Sequence, residues 1–80
     1  MNLFQARLKE LLQAKEKSDM EISKEIGVTK QKLSHWKTGY TEPCMDDLIV
    51  LAHYFDISVD YLIGYENEDG TKNDKILDSK

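Results

Sequence analysis

The chain has 80 residues, of which 40% are hydrophobic and 32% charged, a balance that fits one small folded domain and excludes a chain too polar to form a core. No apolar run approaches the roughly 20 residues that span a bilayer, so no membrane association is expected. The single cysteine, Cys44, cannot form an internal disulfide and favours a location in the reducing cytoplasm.

Charge is unevenly divided along the chain. The formal net charge is −4, yet residues 1–39 carry eight basic and five acidic side chains, whereas residues 40–80 carry three basic and ten acidic ones. Either the basic half forms a surface for a polyanion, or the division is chance clustering in a short chain. Charge alone leaves both interpretations open.

Two helices are predicted in the first third of the chain. The first is expected over about residues 2–15, where Phe4 and Leu8 belong to one apolar face. The second begins at "SDME", residues 18–21, a capping-box pattern in which the serine hydroxyl accepts from the amide of the glutamate. It ends at Gly27, because glycine best tolerates the left-handed conformation that follows a helix.

A third helix is predicted between Thr29, an N-cap candidate, and Gly39, which ends it. Leu33 and Trp36 are three residues apart and therefore lie on the same inner face of this helix. Val28 is expected to pack below them from the preceding turn.

Two more helices and a tail complete the prediction. The fourth helix runs from about residue 45 to 55 and has an apolar stripe at helical spacing, beside which His53 is expected to be partly buried. Ile49 and Val50 lie off the stripe and either complete a broad core or form a second contact surface. A short fifth helix, capped by Ser58, leads to a domain boundary after residue 65, and residues 66–80 are interpreted as a polar, flexible tail.

The second and third predicted helices, joined by a glycine-containing turn, form a helix-turn-helix, whose second helix reads the DNA major groove. Opposite Leu33 and Trp36, the third helix presents amide, hydroxyl and imidazole groups that can hydrogen-bond base edges, with lysines on the flanks for phosphates. An ordinary solvated surface is the alternative, which the absence of Asp and Glu between Thr29 and Thr38 weakens. The candidate base contacts are Lys30, Gln31, Ser34 and His35, and the candidate backbone contacts are Thr29, Lys32, Lys37, Thr38 and Lys24.

The order of these features resembles the Cro/C1-type helix-turn-helix domain of phage repressors and xenobiotic-response-element regulators. The resemblance covers residues 7–64 and rests on "GVTKQKLSHWKTG", on the proline after the following loop, and on the ending "L..LA..F.IS.DYLIG". It implies an all-α, compact five-helix bundle of the lambda-repressor-like type that binds operator DNA as a homodimer. It also implies dimer contacts from the loop before the fifth helix and from that helix, here Ile57, Val59 and Tyr61.

Four residues depart from the pattern of this family, of which Ser23, where alanine is usual, is a mild change. Asp19 stands where a glutamine usually contacts phosphate, and Glu42 stands where basic residues often meet the DNA backbone. Cys44 replaces the serine that often caps the fourth helix. These departures predict modest, salt-sensitive affinity for DNA with few phosphate contacts.

The predicted function is sequence-specific transcriptional regulation, with repression as the favoured mode and double-stranded DNA as the partner. The alternative is a protein-interaction module, an antitoxin or antirepressor, which the acidic half and Asp19 motivate. An enzyme is not expected, because the sequence contains no nucleophile with a base, no acid/base pair and no phosphate-binding glycine loop. One cysteine and two distant histidines likewise predict no metal and no cofactor.

Overall fold

The computed structural model describes residues 3–72, and these form five helices without a strand. The helices are α1 (Phe4–Ala14), α2 (Asp19–Ile26), α3 (Lys30–Thr38), α4 (Met45–Phe55) and α5 (Val59–Leu62). Extended pairing within residues 3–72 is limited to one isolated antiparallel bridge between Glu66 and Lys72. The predicted all-α five-helix architecture is confirmed, and no helix of the described residues has the length and hydropathy to cross a membrane.

Three of the helices have an N-cap residue with a side-chain hydroxyl. Ser18, Thr29 and Ser58 are in extended conformation, and each accepts a hydrogen bond from the amide three residues later, at 3.0–3.1 Å. These bonds satisfy amides that have no partner within the helix. Cys44 precedes α4 without capping it, and its thiol donates instead to the carboxylate of Asp47 at 3.2 Å.

Glycines in the left-handed region end the two helices of the predicted helix-turn-helix. Gly27 ends α2 at φ 82°, and Gly39 ends α3 at φ 80°. A Cβ atom at Gly39 would overlap the side-chain amide nitrogen of Gln5 in α1, whereas a Cβ at Gly27 would meet nothing within 4 Å. The end of α3 is therefore packed closely against the start of α1.

One hydrophobic core joins all five helices. α3 packs against both α1 and α2, and α5 packs against α4 and α1. The deepest side chains come from every helix, so that no pair of helices could bury its apolar face alone. The buried members are Phe4, Leu8, Leu12, Ile22, Leu33, Trp36, Leu51 and Leu62.

Arg7 is buried within this largely apolar interior and links α1 to the C-terminal part of the domain. Its guanidinium donates to the backbone carbonyls of Tyr61 and of Glu66, the latter at 2.6 Å, and lies 4.0 Å from the centre of the Tyr61 ring. Lys72 adds a contact to α5 through the carboxylate of Asp60 at 3.2 Å. The predicted domain boundary after residue 65 stays a prediction, and residues 73–80 lie outside the described residues.

A second polar cluster links α2 to α4. The hydroxyl of Tyr54 donates to the carboxylate of Glu25, which also accepts from the ammonium of Lys17 at 2.7 Å. The ammonium of Lys15 lies 4.5 Å from the centre of the Tyr54 ring. The loop between α1 and α2 is thereby attached to the last turns of both α2 and α4.

The outer face of α4 carries exposed apolar side chains. Met45, Ile49 and Val50 all face solvent, so Ile49 and Val50 form a surface and do not complete the core. The prediction that His53 is partly buried is wrong, because the residue is exposed. At about 100° per residue, its position lies nearly opposite the face that buries Leu51.

Candidate nucleic-acid interface

α3 has one buried and one exposed face. Leu33 and Trp36 are 0% and 1% exposed and hold the helix against the core. The predicted base-contacting residues Lys30, Gln31 and Ser34 are all exposed on the other face. This exposed face contains no carboxylate, so its charge is neutral or positive along its whole length.

The C-terminal end of α3 contains an aromatic contact that the sequence interpretation missed. The ring of His35 is 4.6 Å from the ring of Tyr40, centre to centre, at an angle of 52°. Tyr40 is 76% exposed, so it extends the polar face of α3 past Gly39. Its position, five residues after His35 and directly after the glycine that ends the helix, is the sequence signal that could have identified it.

The residues predicted to contact the DNA backbone differ in whether their side chains already have a partner within the domain. Thr29 uses its hydroxyl as the N-cap of α3, and the hydroxyl of Thr38 donates to the backbone carbonyl of His35 at 3.3 Å. Lys24 is exposed on α2 and, like Lys30, makes no ion pair within residues 3–72.

The two lysines on the flanks of α3 are ion-paired with neighbouring helices. The ammonium of Lys37 lies 2.7 Å from a carboxylate oxygen of Asp19 in α2. On the opposite flank, the ammonium of Lys32 lies 3.3 Å from a carboxylate oxygen of Asp47 in α4 and 5.7 Å from the centre of the Trp36 ring. Asp19, which departs from the family pattern, is therefore neutralised within the domain.

The pKa of Asp47 reflects this arrangement. Burial acts to raise the pKa of its carboxyl group, but hydrogen bonds from the thiol of Cys44 and the ammonium of Lys32 outweigh that effect. The net result is a pKa below the ordinary value for aspartate. The carboxyl group of Asp47 is therefore ionised at neutral pH.

Of the residues predicted to form the dimer contact, Ile57 lies in the loop between α4 and α5, and Val59 and Tyr61 belong to α5. Ile57 is half-buried and packs against the core, and Val59 and Tyr61 are half-buried in α5. Arg7 covers one face of the Tyr61 ring.

A pocket lies beside the loop that follows α3. Glu42 is exposed in this loop and lines the shallow pocket together with Phe4, Pro43, Leu48 and Ile63. Among residues 3–72, no group of three His, Cys, Asp or Glu side chains is placed to hold a metal ion.

Comparison with known proteins identifies the family. A family model described as helix-turn-helix matches residues 8–62, which is more than half of the chain. The fold and this match define a DNA-binding class of transcriptional regulators. The chain belongs to the helix-turn-helix family of the Cro/C1 type, as its sequence motifs predict.

Two relatives from Bacillus subtilis strain 168 are named as regulators. The uncharacterized HTH-type transcriptional regulator YobD is 27% identical over 70 residues, covering 88% of this chain and 62% of that protein. The HTH-type transcriptional regulator ImmR is 31% identical over 74 residues, covering 92% of this chain and 58% of that protein. The chain thus spans about three fifths of the length of these relatives.

Two solved structures are similar to the fold, each with a TM-score of 0.75. The SOS-response transcriptional repressor LexA from Eubacterium rectale is 32% identical, and the match covers 89% of this chain and 73% of that one. A transcriptional regulator from Listeria innocua is 29% identical, and the match covers 99% of this chain and 72% of that one. Regulators of this family bind double-stranded DNA and are generally not enzymes.

Proposed function

We propose that the protein is a sequence-specific transcriptional repressor that inserts α3 in the major groove of operator DNA as a homodimer. The observation that carries this proposal is the division of α3 into a buried apolar face and an exposed face without any carboxylate. An α-helix with its side chains is about 10–12 Å in diameter, and the major groove is about 12 Å wide, so the groove admits one helix.

Each exposed side chain of α3 has a role in this proposal. Gln31 pairs with the edge of an adenine, and Lys30 reaches either guanine O6 and N7 or a phosphate. Ser34 and His35 make further contacts with base edges. The contacts with the DNA backbone come from Thr29, Thr38 and Lys24, and from Lys32 and Lys37 when a phosphate displaces the carboxylate paired with each lysine.

The proposed dimer uses Ile57, Val59 and Tyr61 from both copies. Since two-fold symmetry of the protein is matched by the operator, we expect half-sites about 10–10.5 base pairs apart, centre to centre. We assign DNA binding to residues 1–65 and keep residues 66–80 as a tail. The cytoplasm is the proposed location, since operator DNA is present there and the thiol of Cys44 stays reduced.

A titration of DNA by fluorescence anisotropy tests the proposal, using duplexes selected from a random pool at several salt concentrations. Gln31→Ala should cost about 1–3 kcal/mol and relax the preference at one base position. Lys24→Ala should weaken binding to all sequences and lower the magnitude of the salt slope by about 0.9 per protomer. Lys9→Ala, an exposed change in α1, is the matched control and should alter neither. Failure to select any sequence at low salt, with the protein folded, would contradict the proposal.

A protein-interaction module remains the second candidate, and one observation favours it. Met45, Ile49 and Val50 form an exposed apolar surface on α4 next to the acidic side chain of Asp46. If the protein acts as an antitoxin or antirepressor, Ile49→Ser should abolish partner binding and regulation, while Gln31→Ala should leave both unchanged. The reverse result supports the DNA-binding proposal.

A further inference from the structure

The two ion pairs beside α3 have the same arrangement, since each joins a lysine of α3 to an aspartate in the first turn of another helix. Asp19 is the first residue of α2, and Asp47 lies in the first turn of α4. Each carboxylate reaches a lysine at the boundary between the buried and the exposed face of α3, with Asp19 bound to Lys37 and Asp47 bound to Lys32. The cations on both flanks of the proposed reading face are thus held by the N-terminal turns of the two adjacent helices.

The two pairs differ in how far solvent reaches them. The side chains of Lys37 and Asp19 are 31% and 30% exposed, so this pair is partly shielded from solvent, whereas in the other pair Asp47 is 18% and Lys32 is 49% exposed. A carboxylate near the N-terminus of a helix is also stabilised by the helix dipole. A phosphate that contacts either lysine must therefore displace a carboxylate that is already in place.

We propose that Asp19 and Asp47 are internal competitors for DNA phosphate, which hold Lys37 and Lys32 and lower the affinity for duplexes of every sequence. This inference rests on the proposed function. A lysine that stays paired releases no counterion from DNA, so each pair removes about one phosphate contact from the electrostatic part of binding. A duplex without the correct bases is then bound too weakly to be occupied, and the base contacts decide which sites are filled.

Substitution of each aspartate by asparagine tests the inference while keeping the shape of the side chain. Asp19→Asn frees Lys37, and we expect the slope of log Kobs against log salt to become steeper by about 0.9 per protomer. One added phosphate contact then makes the affinity at about 0.1 M salt about eightfold higher per protomer than that of the wild type. Asp47→Asn should give a similar gain through Lys32, and both should act equally on the selected operator and on an unrelated duplex.

Asp56→Asn is the control for net charge. Asp56 is exposed, ends α4 at φ 55°, a conformation that asparagine also tolerates, and makes no ion pair within residues 3–72. It removes one negative charge without freeing a lysine, so it should change affinity by less than about twofold and leave the slope unaltered. Circular dichroism of each variant confirms that the fold is kept.

A double-mutant cycle identifies the lysine that acts. Lys37→Gln should abolish the gain that Asp19→Asn produces, so that the double variant binds DNA no more tightly than Lys37→Gln alone. If Asp19→Asn and Asp47→Asn match Asp56→Asn, or if the gain survives Lys37→Gln, the inference is wrong while the proposed function stands. If neither the wild type nor any variant binds DNA, both fail together.

Discussion

Arg7 offers a direct test of how the domain is held together. Its guanidinium donates to the carbonyls of Tyr61 and Glu66 and lies against the Tyr61 ring, so it joins α1 to α5 from a buried position. Arg7→Met keeps the apolar stem but removes both hydrogen bonds; the carbonyl of Glu66 loses the guanidinium as donor, while that of Tyr61 still accepts from the amide of Gly64 at 3.1 Å. Hydrogen bonds to a charged group contribute about 1.5–3 kcal/mol each, and partial hydration of the carbonyls offsets part of the loss.

We therefore expect Arg7→Met to lower the free energy of unfolding by about 3 kcal/mol, out of about 5–10 kcal/mol for a domain of this size. Near the midpoint this corresponds to a Tm lower by about 12–24 °C. Urea titration followed by circular dichroism measures the change, with Lys9→Ala, an exposed change on the same helix, as a control that stays within about 0.5 kcal/mol. A loss below about 1 kcal/mol would refute the role assigned to Arg7.

Three further predictions concern the helix ends and the polar cluster between α2 and α4. Ser18→Ala removes the N-cap of α2 and should lower the free energy of unfolding, measured by urea titration, by about 1 kcal/mol. Ser18→Asp should keep the stability of the wild type, because aspartate also caps helices. Gly27→Ala and Gly39→Ala should each cost about 1–2 kcal/mol for the left-handed backbone. The loss at Gly39 should be the larger, because Gln5 must also move; a smaller loss there would contradict that contact. The hydrogen bond from Lys17 lowers the pKa of Glu25, so its stabilising effect is present above the ordinary carboxyl pKa and disappears as pH falls through the lowered value. Glu25→Gln should therefore destabilise the protein at about pH 7 but not at about pH 2, and an equal loss at both would exclude the ionic origin.

The helix boundaries and the orientation of α3 were predictable because they depend on neighbouring residues. Thr29 caps α3 and Gly39 ends it by rules that act within one helical turn. The spacing of Leu33 and Trp36 likewise determines which face is buried. The family motifs then supplied the order of all five helices.

Contacts between distant parts of the chain were not predictable in the same way. Asp19 and Lys37 are 18 residues apart, and nothing in either local sequence indicates that their side chains meet. The burial of Arg7 was also missed, because an arginine on a polar helix pattern is ordinarily exposed. The carbonyl groups that satisfy it are 54 and 59 residues away. The error at His53 was one of geometry, since proximity in sequence to an apolar stripe does not place a residue on the same face.

Trp36 has a practical consequence for every experiment described above. It is the single tryptophan of the chain, it belongs to α3, and it is 1% exposed beneath the ammonium of Lys32. Its fluorescence therefore reports one place in the molecule, the contact between α3 and the core, without any added label. Quenching by acrylamide should be weak in the folded protein and should rise on unfolding. A change in emission on binding of DNA or on Asp47→Asn would register the movement of Lys32 above the indole.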